Sequence, residues 1–168
     1  MKNVYVALEN IRSLYNVGSI IRTCSFFGIQ KVFLIGYSGK EMLPNGAFEL
    51  STKLQKTALG SDLDVELVLV SSTVEFISIC EKQELKIIAI EQHERSGSIY
   101  GCSVGSRSVL VFGNEVDGVS DYLINNATDV FEVLRQGIHN SLNVSVCCGL
   151  VLGVLLGDSS GQVEAKGR

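Results

Sequence analysis

The chain has 168 residues, of which 46% are hydrophobic and 19% are charged, and it carries a formal net charge of −4. This length predicts one compact domain over residues 1–157, because two separate cores would each be close to the size at which burial becomes marginal. The composition excludes a disordered chain, and the negative net charge excludes a protein that coats nucleic acid nonspecifically.

The charges are unevenly distributed along the chain. Residues 1–60 carry seven Lys or Arg side chains and only three acidic ones. Two interpretations of this asymmetry stay open at this point: a local basic face that meets a polyanion, or an ordinary solvated surface of helices and loops.

The sequence predicts neither export nor a metal site. Glu9 and Arg12 interrupt the first apolar run before a signal peptide could form, so we expect a cytoplasmic protein. The only histidines, His93 and His139, have no partner at ligand spacing, and we therefore expect no metal. No two cysteines form a C-x-x-C pair, so we expect reduced and mostly buried thiols. The cysteines are Cys24, Cys80, Cys102, Cys147 and Cys148.

Short apolar runs alternate with helical stretches along the chain, which predicts an α/β fold with a mostly parallel sheet flanked by helices. The predicted strands are residues 4–8, 31–36, 65–70, 86–90, 108–113 and 129–133. The predicted crossover helices are residues 17–27, 48–59, 73–82 and 117–126. Residues 92–107 form the longest loop-like stretch, and the polar tail 158–168 should fray.

The segment 142–156 is apolar nearly all round and too short to span a bilayer, so we expect a helix buried on every side. Gly149, Gly153 and Gly157 repeat at four-residue spacing, which would let the sheet or a second subunit approach closely. A core helix without any role in dimerisation is the alternative.

Three polar segments lie at loop positions beside strand ends, where open α/β sheets bind ligands. In residues 16–23 we expect Asn16 to open a helix as its N-cap and Arg22 to project from the second turn. Residues 112–120 contain glycines that could let a ligand approach the backbone, but the segment has neither a dinucleotide fingerprint nor a P-loop. Residues 137–146 form a polar entry into the apolar helix, where Ser141 and Asn143 could donate hydrogen bonds to a substrate. By itself, each segment is equally explained as a cap or a tight turn.

Together, the order and wording of these segments resemble the SpoU (TrmH) family of RNA 2'-O-ribose methyltransferases within the SPOUT superfamily. Residues 16–22 match motif 1, residues 113–118 match the G-N-E-x-x-G of motif 2, and residues 141–146 match the S-L-N-V-S-V of motif 3. Residues 56–60 and 88–92 give supporting matches. The resemblance covers residues 4–156.

The resemblance implies a sheet whose C-terminal part is threaded into a deep trefoil knot, a bound S-adenosylmethionine, a homodimer with the last helix at its interface, and a transfer RNA or ribosomal RNA substrate. It implies an electrostatic role for Arg22, since a guanidinium resists deprotonation. The catalytic residues carried over are Arg22, Asn16, Glu115, Ser141 and Asn143. The cofactor-binding residues carried over are Ile90, Gly113, Val133 and Leu142.

The sequence departs from the family pattern in two respects. Val133-Leu134-Arg135 stands where members commonly read Ile-Pro-Met, and Arg135 could face RNA phosphate or pair with Glu132. We also expect no N-terminal RNA-binding domain, which leaves target selection to the catalytic core or the second subunit. Methylation of a base nitrogen, and RNA binding without turnover, are the alternative functions.

Overall fold

The computed structural model of the protein describes residues 3–43, 48–58 and 64–157. Seven parallel strands form one sheet, and two short antiparallel strands form a hairpin. The strands are β1 (Val4–Glu9), β2 (Lys31–Ile35), β3 (Lys40–Met42), β4 (Phe48–Leu50), β5 (Glu66–Val70), β6 (Lys86–Ile90), β7 (Gly97–Ser98), β8 (Ser108–Phe112) and β9 (Asp129–Glu132). The helices are α1 (Leu14–Phe26), α2 (Thr52–Ala58), α3 (Thr73–Lys82), α4 (Asp121–Asn126) and α5 (Val144–Leu156).

The order of strands in the large sheet is β5-β2-β1-β8-β6-β9-β7, and every neighbouring pair is parallel. All six predicted strand segments form strands that end within one residue of the prediction. The predicted α/β class with a mostly parallel sheet is therefore confirmed. The apolar runs predicted the strands because a strand that is buried on both faces carries apolar side chains at nearly every position.

Alternate side chains of the central strands enter two separate cores, as the two-residue period of a strand requires. In β1, Val6 and Leu8 pack in the core that contains α1 and α5, whereas Ala7 packs in the core that contains α3 and α4. Both faces of the sheet are thereby covered by helices, and ligand access is left to its ends.

Helix α1 begins earlier than predicted. Its N-cap is Ser13, whose side chain accepts a hydrogen bond from Asn16 N at 3.3 Å, so the prediction that Asn16 caps the helix is wrong. Because the helix starts at Leu14, Arg22 lies in its third turn and not its second. Serine and asparagine are both favourable N-caps, and the extended backbone of Ser13 decides between them.

Three other predicted segments are corrected. Residues 48–50 form β4, which pairs with β3, so the helix predicted over 48–59 begins only at Thr52, as α2. The helix predicted over 117–126 begins only at Asp121, after its N-cap Ser120. The loop predicted over 92–107 contains the short strand β7, which extends the sheet beside β9.

Helix α5 is not buried on every side, contrary to the prediction. Val146 is 54% exposed and Val154 is 36% exposed. Its glycines face α1 and not the sheet, because a Cβ added at Gly149 or Gly153 would lie 3.8 Å from Thr23 or Phe27 respectively. Among the described helices, none has both the length and the apolar character needed to cross a membrane.

Three predicted segments reach beyond the described residues. The tail 158–168 lies entirely outside them, and so do residues 59–60 of the supporting match at 56–60 and residue 59 of the helix predicted over 48–59.

Candidate active site

The polar segments meet at one edge of the sheet. The strands β1, β8, β6 and β9 are neighbours and parallel, so the loops that follow them leave from the same edge. A cleft of about 870 Å³ opens there. The loops after β6, β8 and β9 and the first turn of α5 line it, with residues 90–92, 112–118, 132–135, 137–144 and 147.

The loop after β1 is held in a fixed turn. Asn10 has a φ of 53° and Gly36 a φ of 63°, both in the left-handed region. A Cβ at Gly36 would lie 1.9 Å from Asn10 Oδ1, so only glycine permits this approach. The same Asn10 oxygen accepts a hydrogen bond from Tyr37 N at 3.4 Å. The loops after β1 and β2 are thus locked to each other beside the cleft.

The loop after β8 closes on itself through Asn114. The Asn114 side-chain oxygen accepts hydrogen bonds from Val116 N at 2.8 Å and Asp117 N at 3.1 Å, and the Asn114 backbone bridges to Gly118. A Cβ at Gly113 would lie 2.1 Å from the carbonyl carbon of Gly118. Gly113 is therefore required by the return of its own loop, and its place in the cleft lining leaves the approach of a ligand to its backbone a prediction.

Glu115, Asn16 and Asn143 form a hydrogen-bonded chain that joins the three polar segments. Asn16 Nδ2 donates to Glu115 Oε1 at 2.9 Å, and Asn143 Nδ2 donates to Asn16 Oδ1 at 3.3 Å. Asn143 is also the N-cap of α5, with its oxygen accepting from Ser145 N at 2.9 Å. Residues about a hundred positions apart in the sequence thereby become one unit, which we call the amide chain.

Backbone donors hold the carboxylate of Glu115. Arg12 N and Ser13 N donate to its two oxygens at 3.0 and 3.1 Å. Partial burial alone would raise the pKa of Glu115, but these hydrogen bonds and the one from Asn16 outweigh it and lower the pKa. Glu115 is therefore an ionised anchor at neutral pH and a weak proton acceptor.

The loop after β9 forms the far wall of the cleft. Gln92 Nε2 donates to the Asn140 carbonyl at 2.9 Å, and Arg135 hydrogen-bonds the Asn140 side chain. Glu132 accepts a hydrogen bond from Ser96 Oγ at 2.6 Å. Arg135 thus bonds to Asn140, whereas the carboxylate of Glu132, its expected pairing partner, is engaged by Ser96.

Cysteine chemistry at the cleft is unfavourable. Cys147 lines it, and burial together with the charge of Glu91 raises the pKa of this thiol to about 11. Because only the thiolate is a strong nucleophile, Cys147 is unreactive at neutral pH and contributes a small apolar surface to the cleft.

The other described cysteines do not form a metal site. Cys24, Cys80 and Cys148 are buried, and within residues 3–43, 48–58 and 64–157 no three His, Cys, Asp or Glu side chains form a group that could hold a metal ion.

The structure brings together most of the predicted site residues. Eight of the nine lie in the cleft lining or in the amide chain. They are Asn16, Glu115, Ser141, Asn143, Ile90, Gly113, Val133 and Leu142. Arg22 is the exception: it is exposed on the outer face of α1 and is not among the described residues that line the cleft.

Sequence reasoning missed several residues that build the site. Glu91 accepts hydrogen bonds from Val119 N at 2.9 Å and Gln92 N at 2.8 Å, and it braces the loop after β8. Asn114 lies inside motif 2, and this position could have identified it as a site residue from the sequence. The amides of Arg12 and Ser13 carry no sequence signal, because every residue except proline has a backbone N–H.

Comparison with known proteins identifies the family of the chain and supports its fold. The family model described as "SpoU rRNA Methylase family" matches residues 3–153. The tRNA (guanosine(18)-2'-O)-methyltransferase of Aquifex aeolicus is 26% identical over 99% of this chain and 72% of its own length. The 23S rRNA (guanosine-2'-O-)-methyltransferase RlmB of Xylella fastidiosa is 22% identical over 88% of this chain, which spans 55% of that protein.

Solved structures give the same result. The Aquifex aeolicus TrmH/SpoU tRNA modifying enzyme superposes with a TM-score of 0.76 at 25% identity, covering 90% of this chain and 73% of that one. An AdoMet-bound rRNA methyltransferase from Sinorhizobium meliloti has a TM-score of 0.78 at 24% identity, over 91% of this chain and 56% of that one, which shows the fold. With a family model matched over nearly the whole described length, the chain belongs to the SpoU rRNA Methylase family, as its three motifs predict.

Proposed function

We propose that this protein transfers a methyl group from S-adenosylmethionine to a ribose 2'-hydroxyl of transfer RNA or ribosomal RNA. The amide chain of Glu115, Asn16 and Asn143 carries the proposal, because it joins the three family motifs beside one cleft. The activities named for the relatives in Aquifex aeolicus and Xylella fastidiosa agree with it.

The cleft fits S-adenosylmethionine. Its volume of about 870 Å³ is typical of a site for a ligand of this size. Ile90, Phe112 and Val144 contribute apolar surface that suits an adenine ring, and the loop 134–143 contributes polar groups that suit a ribose and an amino acid. Ile90, Gly113, Val133 and Leu142, the residues that the family resemblance assigns to the cofactor, all belong to this lining.

The protein has to supply orientation and electrostatic stabilisation. When bound, S-adenosylmethionine would supply a methyl group on a sulfonium: the C–S bond breaks as the O–C bond forms, the leaving group is a neutral thioether that needs no acid, and the hydroxyl proton passes to water. The chain must then hold the ribose in line and stabilise negative charge on its 2'-oxygen. Ser141, exposed at the cleft, can donate a hydrogen bond to the substrate, whereas the low pKa of Glu115 favours a positioning role for that carboxylate.

A second copy of the chain completes the site in this proposal. The outer face of α1 exposes 80% of Tyr15 and 84% of Phe26, and α5 beside it exposes Val146 and Val154. Apolar surface of this kind on two adjacent helices is typical of an interface. Arg22 lies on the same outer face, so a homodimer that covers this face can place Arg22 against the cleft of the other copy. There the guanidinium would hold a phosphate and stabilise the developing alkoxide.

Methyl transfer to total RNA tests the proposal. RNA from cells that lack the gene is incubated with the protein and isotopically labelled S-adenosylmethionine, then digested to nucleosides and analysed by mass spectrometry. We expect label in a 2'-O-methylated nucleoside. The matched variants are Asn16→Ala, which breaks the amide chain, and Asn126→Ala, which removes an exposed helical asparagine that bonds to Tyr122 O. Only Asn16→Ala should reduce incorporation.

Two other outcomes would overturn the proposal. Label in a methylated base would identify a base methyltransferase, and RNA binding without any label would identify a binding protein. Mapping 2'-O-methyl sites in cells with and without the gene then identifies the RNA. The cytoplasmic location and the trefoil knot stay predictions.

A further inference from the structure

The side chain of Arg12 has no role in the function proposed above, although it lies at the mouth of the cleft. Its side chain is 61% exposed, and its Nη2 lies 3.7 Å from Oδ2 of Asp117, which lines the cleft. The Arg12 backbone N–H donates to Glu115 Oε2 at 3.0 Å. The guanidinium therefore lies beside the loop that carries motif 2, and Arg12 is not among the described residues that line the cleft.

The ion pair with Asp117 limits the rotamers of the Arg12 side chain. Interaction with the nearby Tyr37 hydroxyl raises the pKa of Arg12. Asn114, which is 8% exposed, donates to the same hydroxyl at 2.8 Å and to the Asn10 carbonyl at 2.7 Å. An exposed arginine normally loses much rotamer freedom when it binds a ligand, and a restrained one loses less.

The cleft is lined mainly by negative charges, so a negatively charged RNA strand needs a cation at its mouth in order to bind there. The carboxylates of Glu91, Glu115, Asp117 and Glu132 line the cleft, against the cation of Arg135. An RNA strand carries one negative charge per nucleotide and would be repelled by such a rim. Arg12 offsets the charge of Asp117 through a contact as long as 3.7 Å, which leaves most of its five N–H donors available.

We propose that Arg12 binds a backbone phosphate of the substrate RNA next to the nucleotide whose ribose enters the cleft. Its planar guanidinium matches two phosphate oxygens, and the ion pair with Asp117 keeps it at the mouth of the cleft. Arg12 is thus a substrate-binding residue supplied by the same copy that holds the cofactor cleft. The inference rests on the proposed methyl transfer to RNA.

Replacement of Arg12 by glutamine tests this role. Arg12→Gln is compared with Arg107→Gln, which removes an equally exposed arginine paired with Glu84 at 3.4 Å, at the opposite edge of the sheet. Total RNA from cells lacking the gene is the probe, in steady-state methyl transfer and in filter binding at increasing salt concentration. Binding of S-adenosylmethionine is measured by calorimetry for each variant.

For Arg12→Gln we expect the apparent KM for RNA to rise about tenfold, since one charged hydrogen-bonding contact is lost. The slope of log K against log salt should fall by about 0.7, the value for one phosphate of a single strand. The kcat and the affinity for S-adenosylmethionine should stay unchanged. Arg12→Lys should keep the salt slope and raise the KM less, whereas Arg107→Gln should behave as the wild-type protein.

Different results separate the two proposals. An active wild-type protein whose KM and salt slope are unchanged by Arg12→Gln would overturn the role of Arg12 and leave methyl transfer standing. A fall in kcat or in cofactor affinity at unchanged salt slope would also overturn it, because this would show a structural effect on the cleft. A wild-type protein without turnover would refute methyl transfer itself, whatever the salt slope shows.

Discussion

The two faces of helix α1 differ in how far their side chains are buried within one copy of the chain. The inner face is closed: Val17, Ile20 and Ile21 are fully buried, and the first turn places Asn16 in the amide chain. The outer face is open and combines the exposed aromatic rings of Tyr15 and Phe26 with the cation of Arg22. One helix thus serves the core and cofactor cleft of its own copy on one side and, as we propose, a second copy on the other.

This difference shows which functional groups a single chain can assemble. The amide chain is complete within one copy because its members follow neighbouring strands at one edge of the sheet. Arg22 is six residues beyond Asn16, which is less than two turns, and it therefore projects from the other face of the same helix. Experiments that separate the two faces should therefore separate cofactor binding from methyl transfer.

The largest effect is expected from Arg22→Ala. Loss of a cation that stabilises developing charge should lower kcat by about 10²–10³-fold or abolish turnover, while calorimetry finds the affinity for S-adenosylmethionine unchanged. Arg22→Lys keeps the charge without the planar fork and should retain part of the activity. Unchanged turnover of Arg22→Ala would contradict the role assigned to this residue.

Mixing variants tests whether Arg22 acts on the other copy. Arg22→Ala lacks the cation and Asn143→Ala breaks the amide chain, so each homodimer should be inactive. After subunit exchange, half of the molecules become heterodimers with one intact site, and activity should recover to about a quarter of the wild-type value. No recovery, with exchange verified by mass spectrometry, would show that Arg22 and Asn143 serve the same copy's site.

A slightly smaller effect is expected from Phe26→Asp, which places a charge in the proposed interface. Sedimentation should show a monomer, and turnover should fall strongly at concentrations where the wild-type protein is dimeric, since desolvation of a carboxylate opposes association. Tyr122→Asp is the control, because Tyr122 is 51% exposed on α4, across the sheet from α1. A dimeric and active Phe26→Asp protein would move the interface elsewhere.

The contrast between the two faces also explains what the sequence could predict. The strands were predictable because a buried parallel strand is a continuous apolar run, as in β6 and β8. The sequence of helix α5 is apolar on all sides, and this pattern does not distinguish burial within one chain from burial against a second chain. The prediction that α5 is buried on every side is therefore wrong for a single copy, in which Val146 and Val154 are exposed.

The site was predictable only in part, for a similar reason. The three motifs identified the family, which is confirmed. Most of the residues they assign to the site lie at the cleft, and the roles of those residues stay predictions. Ser13 and Asn16 are both good helix caps, so the sequence could not decide between them. The links to Glu115 come from backbone amides more than a hundred residues away, and amides have no sequence signature.

A moderate effect on stability is expected from Gly18→Ala on the closed face. Alanine in a helix interior normally stabilises by about 1 kcal/mol relative to glycine. Here the new Cβ would lie 2.2 Å from Thr57 Oγ1 and 2.8 Å from the Thr57 carbonyl carbon, so α2 must move. We expect a net loss of about 1–3 kcal/mol in the free energy of unfolding, measured with urea. Gly105→Ala, where nothing lies within 4 Å, should lose almost nothing. Equal stability of the two variants would show that α1 and α2 are loosely packed.

The smallest effect is the pH dependence contributed by Glu115. Its pKa is lowered in the folded chain, so its ionised form stabilises the fold at every pH above the unfolded value of about 4.3. That contribution is lost as the pH falls below 4.3 and through the lower pKa of the folded state. The difference in unfolding free energy between the wild-type protein and Glu115→Gln should therefore be constant from pH 5 to pH 8 and shrink below pH 4. A difference that changed near neutral pH would show that Arg12 N, Ser13 N and Asn16 do not hold the carboxylate in its ionised form.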